Sequence, residues 1–184
     1  MKPSPYFKDS FKYFFKRFSK KESLFKWFLS QAGEDSGAFD FPASLKGNPK
    51  TLVFLDRNNL EKTAAFIRAM PDVFFKNALL CAHETHQVLV SARRATAVYY
   101  TDLECRYGEA AFEELEYKFR AFKPTVCIYL GEAFLPTLYL AKVSGAGCRI
   151  GFTDEECFPF LNICLRPSQS SEAALISQYY YGVQ

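Results

Sequence analysis

The sequence predicts an α/β fold: a single Rossmann-like, doubly wound and mainly parallel sheet of about five or six strands, preceded by a basic amphipathic helix. Three observations predict it. Short apolar, β-branched runs recur at 51–55, 95–101, 125–130 and 148–152, separated by segments of helical period. The run TVCIYL at 125–130 is apolar on both faces, which suits the centre of a covered parallel sheet. The 184 residues are 49% hydrophobic and 23% charged, enough apolar material for one ordinary domain and too much for wholesale disorder.

Three zones divide the chain. Residues 1–29 read as the helix, 30–50 as a linker rich in turn formers, and 51–184 as the α/β domain. In the first zone Phe7, Phe11, Phe14, Phe15 and Phe18 recur at helical spacing, with Lys8, Lys12, Lys16 and Lys20 on the opposite side. A basic face opposite an aromatic one is the pattern of a helix lying on an anionic membrane surface, here through residues 6–28. The same pattern also fits a helix that packs its phenylalanines on the domain or on a protein partner. A mitochondrial-type presequence is a third reading, which lacks the usual Arg- and Ser-rich composition.

In the body, TLVFL (51–55) reads as a buried strand, the residues at 56–59 as its turn, and Leu60 to Met70 as a helix stopped by Pro71. FFKNALLCA (74–82) reads as the second strand, 83–95 is ambiguous, and ATAVYYT (95–101) is the third strand. Phe112, Leu115, Phe119 and Phe122 stripe a helix over 109–122, supported by Glu114–Lys118 and Glu116–Arg120 spacings and ended by Pro124. A nearly all-apolar helix over 133–143 follows TVCIYL and closes at Ser144-Gly145. CRIGF (148–152) and FPFLNICL (158–165) are expected strands. Ser170 or Ser171 caps a last helix with Glu172 in its first turn.

Charge narrows the partners. Residues 1–28 hold eight basic residues against two acidic ones, a net +6, and the remainder is net −3. The body is therefore not a nucleic-acid-binding domain by composition. The six cysteines form no C-x-x-C pair and read as buried thiols of a reducing compartment. With no uninterrupted apolar core near the N-terminus and no run of about 18 apolar residues, the expected location is cytoplasmic, peripheral at the inner face of a membrane.

Ligands of such sheets bind beyond the carboxyl ends of the strands, where strand order reverses. Two loops qualify: Asp56, Arg57, Asn58 and Asn59 after the first strand, and Gly131 and Glu132 after the central one. The first contains no glycine, so it has neither a G-x-G-x-x-G turn nor a P-loop, and no nucleotide cofactor is expected. As a helix-capping turn it needs no ligand; as a site it offers backbone N–H groups to an anion. His83-Glu84-Thr85-His86 has the wrong spacing for H-E-x-x-H and no evident third ligand, so no metal is expected. No G-x-S-x-G elbow anchors a hydrolase triad.

The stretch TVCIYLGEAFLPTLYLAKVSGAGCRIGF (125–152) resembles glycosyltransferase family 9, the heptosyltransferases. It has that family's strand, polar loop, apolar helix, small-residue turn and basic-Ile-Gly-Phe strand. TLVFLDRNNLEKTAAFIRAMP is similar to the family's first strand, loop and helix, so the resemblance spans roughly residues 50–165. It implies a fold matching the N-terminal, acceptor-side half of such an enzyme, or a short single-domain bacterial relative. The family's first loop carries a Gly-Asp pair whose Asp is the catalytic base; Arg57-Asn58-Asn59-Leu60-Glu61 lacks it, and the second half that holds the nucleotide sugar has no counterpart here. Two expectations follow. One is a non-catalytic binding or accessory protein at a membrane surface. The other is a glycosyltransferase, or another enzyme acting on a sugar or phosphorylated substrate. It would use Glu61 or Asp56 as base and could be completed by a partner chain.

Overall fold

The computed structural model describes residues 26, 28–30, 32, 40–101, 110–152, 157, 159–167 and 171–182, with the side chains at 110–112 excepted. The stripe of Phe7, Phe11, Phe14 and Phe18 and the row of Lys8, Lys12, Lys16 and Lys20 lie outside the described residues.

Six strands form one parallel sheet: β1 (Thr51–Phe54), β2 (Ala78–His83), β3 (Thr96–Tyr100), β4 (Val126–Tyr129), β5 (Cys148–Gly151) and β6 (Ile163–Cys164). Their order across the sheet is β3-β2-β1-β4-β5-β6, with every pair parallel. The Rossmann-like, doubly wound expectation holds. Every residue of β1, β4 and β5 is buried, because helices cover both faces.

Side-chain alternation sends each strand into two cores. Val53, Leu80, Ile128 and Ile150 enter one with α1 (Leu60–Ala69), α2 (Asp72–Lys76), α3 (Gln87–Ala92) and α6 (Glu172–Tyr181). Phe54, Cys81, Cys127 and Tyr129 enter the other with α4 (Ala110–Phe122) and α5 (Leu135–Val143). Leu115 and Phe119 form the buried stripe expected of α4, with Phe122 packed at its margin.

Two expected strands are corrected. The run at 74–82 begins as helix α2, with Pro71 at its N-cap and Asp72 in its first turn, and β2 starts only at Ala78. Phe74 and Phe75 both enter the same core, which neighbouring residues of a strand cannot do. The run at 158–165 keeps only its last part as β6. Phe160 and Leu161 turn into the α4/α5 core, while Arg149 donates Nε–H to the Phe160 carbonyl (2.7 Å) and Nη1–H to that of Ala146 (2.9 Å). Asn162 Nδ2 also bonds the Gly147 carbonyl (2.8 Å), so side chains hold this loop where a ladder was expected. The ambiguous stretch resolves into a single 3-10 turn at Glu84–His86 followed by α3.

The domain also reaches back beyond residue 51. Phe28 is 1% exposed, packs in the α4/α5 core and meets Tyr139 with ring centres 5.5 Å apart. Leu45, within the expected linker, is wholly buried in the opposite core. No helix among the described residues is long and apolar enough to cross a membrane.

Candidate functional site

The strand order reverses between β1 and β4, so the crevice at their carboxyl ends is the topological switch point. Both loops singled out from sequence end there.

On the β1 side, Leu55 extends the ladder by donating its N–H to Cys81 O (3.0 Å), and Asp56 follows with 3% exposure. Asp56 Oδ1 accepts the backbone N–H groups of Asn58 (2.9 Å) and Asn59 (3.1 Å), and its carbonyl accepts the Thr63 hydroxyl (3.1 Å). An aspartate closing a turn on its own backbone replaces the glycine that a phosphate-binding loop would use. Asn59 then caps α1 by accepting the Lys62 N–H (2.8 Å).

The other Asp56 oxygen faces Lys62, with Nζ 3.8 Å away; the same ammonium lies 2.8 Å from Oε1 of Glu172, the first residue of α6. Burial pushes the Glu172 carboxyl above the usual carboxylate range, and its hydrogen bond and ion pair with Lys62 pull the other way.

On the β4 side, the Tyr129 and Thr137 hydroxyls sit 2.7 Å apart and reach the carbonyls of Glu132 (3.0 Å) and Phe134 (3.0 Å), fixing the loop at 131–134. Burial raises the Tyr129 phenol far above its ordinary range, so it stays protonated. A Cβ added at Gly131 would meet only the Tyr129 ring, at an ordinary 3.5 Å, so no close ligand approach dictates a glycine there.

The two loops touch. Asn58 Nδ2 donates to Glu132 Oε2 (3.5 Å), and the Arg57 guanidinium lies over the Phe134 ring, 4.4 Å from its centre. Asp56, Arg57, Asn58, Asn59, Gly131 and Glu132 are thus brought to one crevice. Glu61 lies exposed in the first turn of α1, with no hydrogen bond or ion pair among the described residues.

Lys62, Glu172 and Phe134 are members that sequence reasoning missed. Glu172 carried a signal only for helix polarity, and its pairing with Lys62 spans two elements far apart in the chain. His86 also lies close enough to feel Asp56; burial and the neighbouring His83 hold its imidazole below the usual range, so it is neutral. Among the described residues, no three His, Cys, Asp or Glu side chains are grouped to hold a metal ion.

A separate groove of about 500 Å³ lies at the opposite end of the sheet. It runs between Pro42 and Lys46 and the C-terminus of α6, where Tyr180 bonds Thr51 at the start of β1. Chemically, the switch-point crevice can present an arginine face, amide groups and a carboxylate to a partner. Its buried carboxylate is already committed to the backbone of its own loop. Comparison with known proteins adds no relative: no family model, no curated protein and no solved structure matches this chain significantly.

Proposed function

We propose that this chain is a non-catalytic binding or accessory protein that works at an anionic membrane surface, at the inner face of the membrane. On this reading, the resemblance to glycosyltransferase family 9 is one of scaffold. The basic, phenylalanine-striped arm at 6–28 supplies the tether through Phe7 to Lys20, while Phe28 at its end packs into the domain, and the loops at 56–59 and 131–134 form the ligand or partner face.

The observation that carries the reading is the state of the two candidate bases. A general base must reach the proton it removes. Asp56 is buried under its loop, accepting two backbone N–H groups and facing Lys62. Glu61 lies exposed in the first turn of α1, held by no hydrogen bond or ion pair among the described residues. What remains displayed at the switch point, Arg57 on Phe134 and Asn58 with Glu132, is a polar recognition surface.

The tether rests on charge. Four lysines along one helical face would contribute about 1 kcal/mol each against an anionic leaflet. The test is flotation of the full-length chain with vesicles of phosphatidylcholine alone or with phosphatidylglycerol. The parent chain should float with the anionic vesicles only. Lys8→Glu, Lys12→Glu, Lys16→Glu and Lys20→Glu together should abolish flotation. Equal flotation of parent and variant would overturn the tether.

A further inference from the structure

The segment His83-Glu84-Thr85-His86 holds both histidines of the chain and forms the turn that carries it from the end of β2 into α3. His83 caps the turn, its Nδ1 accepting the Thr85 N–H (3.4 Å) and lying 2.9 Å from the Thr85 hydroxyl. His86 follows at the N-cap of α3 and is 3% exposed. Its Nδ1 is buried and meets no hydrogen-bond partner among the described residues. A neutral imidazole tolerates such a place, because the unprotonated nitrogen needs no acceptor. An imidazolium donates from both nitrogens, and a buried N–H with nothing to receive it is costly.

The charges around His86 do not relieve this. Burial and the His83 imidazole of β2 oppose a proton on it, and the Asp56 carboxylate after β1 favours one more weakly. Asp56 is already committed to the N–H groups of Asn58 and Asn59 and to Lys62 of α1, which also pairs with Glu172 of α6. The segment itself is lightly held. Val90 is the one buried side chain of α3, and Val88 is 85% exposed. Its far end is fixed, since Arg93 donates from Nη2 to the Met70 carbonyl (2.9 Å) and lies 3.2 Å from Asp72. Few buried contacts between two firm ends are the conditions for local opening.

We propose that His86 is the latch of an acid-sensitive flap: when it takes up a proton, residues 84–92 swing off the sheet about the Arg93 anchor. The movement uncovers the carboxyl end of β2, which lies beside that of β1 and its Asp56 turn. The direction follows from linkage. The open segment binds the proton more readily than the closed one, so the flap is shut above the imidazole range and opens as pH falls through it.

Amide hydrogen exchange of the full-length chain, followed by mass spectrometry and corrected for the intrinsic effect of pH, reads the flap directly. One unit below the ordinary imidazole value, a single histidine shifts an opening equilibrium by at most about tenfold. Between about pH 7.5 and pH 5.5, protection over residues 84–92 should fall by about three- to tenfold, while β4 keeps its protection. His86→Phe fills the buried place with a ring that takes no proton and should remove most of that fall. His86→Gln, which takes no proton either, serves as the second variant, and far-UV circular dichroism establishes that each is folded. Equal protection of 84–92 at both pH values, an equal loss in β4, or a fall as large as the parent's in a folded His86 variant would each overturn the proposal.

Discussion

Replacing Asp56 by alanine separates a structural carboxylate from a poised base. The substitution removes the acceptor of the Asn58 and Asn59 N–H groups at 2.9 and 3.1 Å, and the more distant charge beside Lys62. A hydrogen bond to a charged group contributes about 1.5–3 kcal/mol. The side chains of Asn58 and Asn59 are exposed, so water can replace part of what is lost. The expected destabilisation is therefore roughly 2–4 kcal/mol, which lowers the melting temperature of a domain this size by about 5–12 °C. Asp56→Asn keeps an oxygen in place and should cost about 1 kcal/mol, whereas exposed Glu61→Ala should stay within about 0.5 kcal/mol. Urea unfolding followed by far-UV circular dichroism measures all three. An Asp56→Ala chain within about 0.5 kcal/mol of the parent would refute the assignment of this carboxylate to the loop.

Phe28→Ala should cost about 3–5 kcal/mol in the same assay, because Phe28 is fully buried in the α4/α5 core; a loss below about 1 kcal/mol would place it outside the domain. Gly151→Ala drives a Cβ into the Leu161 side chain and should cost about 1–3 kcal/mol, whereas Gly131→Ala has room beside Tyr129 and should be near neutral; thermal melts of the two variants compare them directly. His86 is held neutral by burial, so the unfolded chain binds the proton more readily than the folded one. Its contribution to stability is present above the ordinary imidazole range and is lost as pH falls through the lowered folded value. His86→Gln should flatten that part of the stability–pH curve between pH 7 and 5.

The parts of the fold legible in the sequence are those where one period dominates. β1 and β4 are apolar on both faces, α1 runs cleanly from Leu60 to Ala69 and stops ahead of Pro71, and α4 carries its stripe through Leu115, Phe119 and Phe122. Since parallel order follows from alternation of strands and helices, the loops at 56–59 and 131–132 could be placed at one crevice before any coordinates. The runs at 74–82 and 158–165 misled because continuous apolar residues carry no period, and a short helix or a packed loop can use them as well as a strand. Leu45 sat among turn-forming neighbours, and Phe28, between Trp27 and Leu29, belonged to apolar material that suits lipid as well as protein, so only packing reveals their burial. The Lys62–Glu172 pair is a tertiary fact: nothing local in either segment refers to the other.

The most direct measurement records amide spectra of the full-length chain on anionic bicelles that carry a spin-labelled lipid. The account predicts broadening of the signals from residues 7–20, with those from 56–59 and 131–134 left sharp and open to a partner. Unbroadened signals throughout, or broadening centred on the switch-point loops, would contradict it.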